Sequence, residues 1–214
     1  MSEARVRHRV SNPIRGRLNA ATLCAADRYA HLLLGERKRA LFADLPEQIV
    51  EIGPGTGANF RYYRPGTRLV AIEPNVHMHG PLRAAARRHR IELELRTATA
   101  ERMALPDAGV DAVVSTLVLC TVPDPVAAVE EAWRVLRPGG RLLFVEHVRA
   151  GGGYGRLQRL TVRPWRWCFE GCDVRRDTEH TIRAAGFSSV DVQRYRMRSA
   201  FLPINPQIAG TATR

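Results

Sequence analysis

Lysine is almost missing from this chain of 214 residues: Lys38 stands alone beside 32 arginines. The 33 basic residues face only 21 acidic ones, and the resulting formal charge of +12 would ordinarily raise nucleic acid or an anionic membrane as a partner. The arginines are spread through every segment, however, and form no basic tract; a compositional bias accounts for them equally well. Long apolar runs are missing too. Residues 1–20 hold none of signal-peptide length, and nowhere do about 18 apolar residues follow one another, so a soluble cytoplasmic protein without membrane attachment is expected. The four cysteines, Cys24, Cys120, Cys168 and Cys172, make neither a CxxC pair nor the dense framework of a small secreted domain, and are read as reduced thiols. Internal repeats and low-complexity linkers are absent. With 45% hydrophobic residues the chain can bury one sizeable core, which excludes disorder and fibrous structure.

What is present is a regular alternation. Leu18, Leu23, Ala26, Ala30, Leu33, Leu34, Leu41 and Phe42 recur at roughly helical spacing, predicting a helix over 18–43 with a break at Gly35 and an end before Pro46. Five strand-like runs come after it: QIVEIG (48–53), RLVAIEP (68–74), IELELRT (91–97), VDAVVST (110–116) and RLLFVEHV (141–148), with the helix PLRAAARRH (81–89) after the second. Asp124 before Pro125 marks the start of another helix, because aspartate caps open N–H groups and proline suits the first turn. Strands alternating with helices predict a parallel sheet with right-handed crossovers and helices on both faces. A Gly-rich bend (151–153), an aromatic segment, a helix near Asp177–Ala185 and a strand pair (SVDVQRY, then 208–213) complete the chain.

The first strand runs into the loop Glu51-Ile-Gly53-Pro-Gly55-Thr-Gly57-Ala58-Asn59, where glycines let backbone approach a ligand. Glu73 ends the second strand 20 residues after Gly53, the spacing at which a carboxylate accepts hydrogen bonds from ribose hydroxyls. A ribose-bearing cofactor is therefore expected. The same glycines satisfy the dinucleotide fingerprint G-x-G-x-x-G/A. Three features weigh against a nicotinamide: Glu51 ahead of a G-x-G-x-G series, the helix-bearing segment before the first strand, and the Gly186-Phe187 lead into a closing strand pair.

In VEIGPGTG, AIEPN, TAERMALPD, VDAVVSTLVL, WRVLRPGGRLLFVEH and AAGFSSV the chain resembles the class I S-adenosylmethionine-dependent methyltransferases over roughly residues 25–213. The resemblance implies an α/β, Rossmann-like fold: a seven-stranded, mostly parallel sheet with helices on both faces and an antiparallel last strand. It implies an N-terminal helical lid (1–46), a methyltransferase domain (47–214) and an acceptor-covering insertion at about 150–175. It also implies S-adenosyl-L-methionine as cofactor. Glu51, Gly53, Gly55, Thr56, Gly57 and Asn59 would stand at its methionine end, with Thr116 and Leu117 from the fourth strand. Glu73 would bind the ribose, Pro74 and Asn75 would flank the adenine, and Ala100 with Glu101 would sit at its amino edge. Thr99 occupies the place where many relatives have aspartate, so that adenine contact falls to backbone. A narrower likeness in GTGANFRYY, STLVLCTV, RVLRPGGRLLFVEHV and FEGCDVRR is to the microsomal thiol S-methyltransferases of animals and to bacterial small-molecule thiol methyltransferases. The animal enzymes carry an apolar N-terminal anchor that residues 1–20 do not match, so membrane attachment is not carried over.

Methyl transfer from a sulfonium is an in-line displacement whose catalysis is largely alignment. The acceptor sets the need for a base: at pH 7 a thiol near pKa 8.5 is roughly 3% ionised and a phenol near 10 roughly 0.1%. A small apolar thiol is the acceptor most in keeping with the resemblance; an O- or N-acceptor is the alternative. His147, at the end of the fifth strand, is the candidate catalytic residue, a general base worth ~10²- to 10⁴-fold or a residue that shapes the pocket. Tyr29, Cys120, Trp165, Trp167, Phe169 and Cys172 are candidates for the acceptor pocket, each also explicable as packing. Cys168 and Cys172 are one helical turn apart but bring no histidine or carboxylate with them, and no metal is expected. Nucleic acid is not expected either: the fourth strand ends in STLV, without the Asn/Asp-Pro-Pro-aromatic set used on exocyclic amines.

Overall fold

Each element starts where its local chemistry allows. Asp124 Oδ1 accepts from Val126 N at 3.0 Å and Ala127 N at 3.1 Å, and with Pro125 behind it the helix α3 (Pro125–Val135) begins. The computed structural model describes residues 13–169 and 171–214; the first twelve residues of the expected lid lie outside them. α1 (Pro13–Leu41) runs through Gly35 without the expected break, since a single glycine costs a helix only about 1 kcal/mol and His31 and Tyr62 pack closely over it. β1 (Gln48–Ile52), β2 (Arg68–Ile72), α2 (His79–His89), β3 (Glu92–Arg96) and β4 (Val110–Thr116) follow. After α3 come β5 (Leu136–His147), α4 (Gly152–Cys168), α5 (Thr178–Ala184), β6 (Ser189–Arg196) and β7 (Pro206–Thr213). The aromatic segment is thus a helix whose first residues are the Gly-rich bend.

The strands form one sheet in the order β3-β2-β1-β4-β5-β7-β6, parallel through β5 and antiparallel where β7 meets β5 and β6. The Arg137-to-Gly140 turn lies within β5: Leu136 pairs with Val110 and Arg141 with Ala112, and the residues between bulge from the ladder. β1 is buried on both faces from Ile49 to Ile52, as a central parallel strand must be, with Glu51 its one buried polar residue. Val50, Ile52, Val113 and Phe144 pack one face against Val129, Ala132 and Ile182 of α3 and α5; Ile49, Leu69, Ala71 and Val114 pack the other against Phe42, Phe60 and Leu82. Each fully buried side chain of this size stabilises the fold by ~1.5–3 kcal/mol. No helix among the described residues is long and apolar enough to cross a membrane.

Candidate active site

Where the strand order turns, between β1 and β4, the carboxyl ends of the strands open a crevice. Gly53 (φ +57°) and Gly57 (φ +85°) line it in the left-handed region, and a Cβ at either would stand 2.7 Å from a neighbour, Val118 Cγ2 and Ala85 Cβ respectively. At these two positions the loop therefore presents bare main chain. Thr56 is half-buried within it. Glu73 tips β2, nearly fully buried, and its carboxylate accepts from Gly55 N at 3.0 Å and Asn75 N at 2.9 Å. Glycine loop and acidic strand end are thus in direct contact, through Gly55 and Glu73, 18 residues apart in sequence. Beside them Pro74 is half-buried and Asn75 Oδ1 accepts from His77 N at 3.0 Å. Gly16 of α1 abuts this turn so closely that a Cβ there would lie 2.8 Å from His77 Cδ2. Ala100 is buried in the core, while Glu101 Oε1 accepts from Asp124 N at 3.1 Å and ties its loop to α3.

Behind the loop lies a buried polar chain that Glu51 alone does not announce. Asn59 Nδ2 donates to Glu51 Oε1 at 2.7 Å and to Thr116 Oγ1 at 3.0 Å; Tyr63 OH donates to Glu51 Oε2 at 2.8 Å; Lys38 Nζ, from α1, donates to Asn59 Oδ1 at 2.8 Å. Burial raises the Glu51 carboxyl to about 7 against the hydrogen bonds of Tyr63 and Asn59 and the charge of Lys38. Burial likewise lowers Lys38 to about 8, and nearby Glu51 opposes the shift. The Tyr63 hydroxyl is pushed up by burial and then by Glu51. The chain's single lysine is the visible signal that could have marked this network. Three more contacts clamp α1 across the site: His31 Nδ1 to Tyr62 OH at 2.6 Å, an Asp27–Arg61 ion pair, and Tyr29 OH accepting from Ala200 N at 3.1 Å.

On the other side of the crevice the chain leaves β4 through Leu117, a non-glycine residue at φ +59° whose N–H donates to Val145 O at 2.8 Å. Glu146, buried at the penultimate position of β5, accepts from Ser115 Oγ at 2.7 Å and from Val118 N at 3.1 Å, holding this turn in place. Burial raises its carboxyl. The next residues converge on His147. Its Nδ1 lies 3.5 Å from Cys120 Sγ and 3.7 Å from Cys172 Sγ, the two sulfurs are 3.4 Å apart, and all three residues are buried. Its Nε2, also buried, has no hydrogen-bond partner among the described residues. Asp173 N donates to Cys120 O at 2.7 Å, and Arg176 donates to Leu119 O and Val122 O, so the GCDVRR segment is bound to the loop after β4. Nothing in the sequence spacing signals Glu146 or Arg176 in these roles.

Cys172 and Cys168 do not share a face, contrary to their helical spacing: Cys168 ends α4 exposed, and the turn after it carries Cys172 inward to Cys120. Trp165 and Phe169 stack at 4.1 Å between ring centroids over this cluster. They also wall an apolar groove of about 400 Å³ completed by Leu157, Pro164, Phe201 and Leu202. Trp167, 66% exposed, is not part of that wall. Tyr29 reaches the groove's rim through Ala200.

A methyltransferase-domain family model matches residues 50–144, the span from β1 to β5. The chain is 36% identical to the thiol S-methyltransferase TMT1B of Rattus norvegicus over 191 residues, 83% of this chain and 78% of that protein. To the human thiol S-methyltransferase TMT1A it is 34% identical over 194 residues, 85% and 80% of the two chains. Among solved structures, an S-adenosylmethionine-dependent methyltransferase of Thermotoga maritima, described as a possible histamine N-methyltransferase, superposes with a TM-score of 0.63 at 23% identity, covering 90% of this chain and 93% of that one. A methyltransferase from Aquifex aeolicus gives 0.64 at 14% identity over 90% and 97%. At such identities the structures speak for the fold alone.

Proposed function

Because the chain belongs to the S-adenosylmethionine-dependent methyltransferases, we propose that it methylates the sulfur of small, apolar thiols. The residues fit the cofactor: a loop with no space for a side chain at Gly53 or Gly57 and a buried carboxylate that grips that loop from the neighbouring strand. When bound, S-adenosylmethionine supplies an electrophilic methyl group. Glu73 would hold the ribose, and the main chain at Gly53–Gly57, backed by Glu51, Asn59 and Thr116, would hold the methionine end. Pro74, Asn75, Ala100 and Glu101 would surround the adenine. α1 acts as the lid, fixed by Lys38 and His31 at one end and lying against Asn75 and His77 at the other, and it excludes water.

The observation that carries the thiol reading is an apolar groove walled by Trp165 and Phe169, whose rings also pack on the Cys120 and Cys172 cluster beside the His147 imidazole. A thiol needs little more than that, whereas a phenol or alcohol starts with far less anion. His147 promotes loss of the acceptor's proton, Trp165 and Phe169 cover its apolar part, and the names of the relatives support the same class. The test is a turnover assay with labelled cofactor on matched panels of thiols, phenols and amines. Small alkyl and aryl thiols should be methylated fastest; methylation of phenols or amines alone would overturn the reading.

A further inference from the structure

The cluster of Cys120, His147 and Cys172 is more ordered than packing requires. Its ligand-capable atoms all lie within 4.8 Å of one another and come from three places in the fold: the loop after β4, the end of β5 and the turn after α4. A tetrahedral zinc ion, with Zn–S of about 2.3 Å and Zn–N of about 2.0–2.1 Å, would set its sulfurs about 3.8 Å apart and each sulfur about 3.5–3.6 Å from the nitrogen. The cluster shows 3.4 Å between sulfurs and 3.5 and 3.7 Å from sulfur to Nδ1, already the triangular face of such a site. Ion and ligands would need only tenths of an ångström of adjustment. Two thiolates and one neutral imidazole balance the ion's two charges, which suits a setting walled by Val174, Trp165 and Phe169. That donor set selects zinc over magnesium, calcium or manganese, which prefer oxygen.

We propose that Cys120, His147 and Cys172 form a three-ligand zinc site whose fourth position receives the sulfur of a small thiol. Three protein ligands and one open position are the arrangement of a reactive zinc centre, whereas closed structural sites use four. An incoming thiol forms a Zn–S bond and loses its S–H proton to solvent, since a coordinated thiol is deprotonated outright; nothing is oxidised or reduced. The bound thiolate leaves the site with one net negative charge, and Arg176, on the carbonyls at either side of Cys120, supplies nearby positive charge. This deepens the thiol reading and rests on it: His147 promotes deprotonation as a ligand through Nδ1, which sets it apart from a general base.

The experiment uses full-length protein purified without a metal-affinity tag. Wild type should retain close to one zinc per chain by mass spectrometric metal analysis, and Cys168→Ser, at the exposed neighbour, should retain as much. Cys120→Ser, Cys172→Ser and His147→Ala should each lose most of it. Cobalt added to zinc-free wild type should give the visible bands of a tetrahedral site and near-ultraviolet sulfur-to-cobalt charge transfer, falling by about half in either cysteine variant as one of two thiolates is lost. Adding ethanethiol without cofactor should raise that band by about half, as a third thiolate joins. Wild type that holds no zinc and gives no cobalt spectrum would overturn the site, and this result does not depend on any variant folding. A cobalt spectrum unmoved by ethanethiol would overturn the open position. Neither readout needs methyl transfer, so failure of this site and failure of the thiol reading give different results.

Discussion

Replacing Glu51 by glutamine should flatten the pH dependence of folding stability near neutrality. Glu51 titrates at about 7 in the fold against an ordinary carboxyl value of 4.5, so between those values the native chain binds a proton that the unfolded chain does not. Stability from this residue is therefore fully present below 4.5 and lost as pH rises through about 7. A rise of this size corresponds, at about 1.4 kcal/mol per pH unit, to roughly 3 kcal/mol. Lys38 runs the other way: its value falls from 10.5 to about 8, so its contribution is lost as pH falls through 8 and recovers only toward 10.5. The pair together places a minimum between about 7 and 8, where both are charged. Urea unfolding of wild type and Glu51→Gln from about pH 5 to pH 8 measures this, and the difference between the two curves removes the titrating groups that do not interact with Glu51. Wild type should lose roughly 3 kcal/mol more than the variant over that range. Parallel curves would refute the buried, proton-binding carboxyl.

Lys38→Met removes the cation that lowers Glu51 and the donor to Asn59, so the falling limb of the wild-type curve should move to higher pH; an unmoved limb would separate α1 from the network. Glu73→Ala should weaken cofactor binding at least tenfold by calorimetry, at about 1.4 kcal/mol or more for a lost charged acceptor, while the fold persists. Gly57→Val combines a positive φ with a Cβ 2.7 Å from Ala85, and should cost several kcal/mol of stability, on the order of the strain and overpacking terms together, read as a lowered unfolding midpoint.

How much of the molecule is legible in its sequence depends on whether a feature is local. Strand–helix alternation, the Asp124 cap and the glycine loop with Glu73 are set within one or two elements, and their geometry follows from spacing. The continuity of α1 and the aromatic segment are less legible, because α1 runs through Gly35 with Leu34 packed on Val145, and α4 begins at the glycines 152–153 with Gln158 tied to Val148 O and Pro203 O, contacts distant in sequence. The cysteines are the least legible of all. Spacing pairs Cys168 with Cys172, but a turn at Gly171 (φ +95°) ends that register, and the partners of Cys172 come from residues 25 and 52 positions away. Contacts at such separations leave no periodic trace, so no window along the chain contains them.

The scarcity of lysine has a physical consequence of the same non-local kind. Most of the arginines that the structure describes in ion pairs lie at the surface: Arg134 with Asp107 and Glu131, Arg137 with Asp111, Arg183 and Arg194 with Glu179. Exposed pairs of this sort contribute about 0–1 kcal/mol each, which is why a dispersed charge of +12 says little about a partner. The cation buried against Asn59, within reach of Glu51, is a lysine. Arginine stays protonated under any pressure of burial, with five N–H donors to satisfy, whereas an ammonium can shift its proton affinity toward neutrality and meets a single amide oxygen end-on. Lys38→Arg therefore should not rescue what Lys38→Met removes, despite keeping the charge: the larger guanidinium would have to displace Asn59, and with it the hydrogen bonds to Glu51 and Thr116 that back the glycine loop.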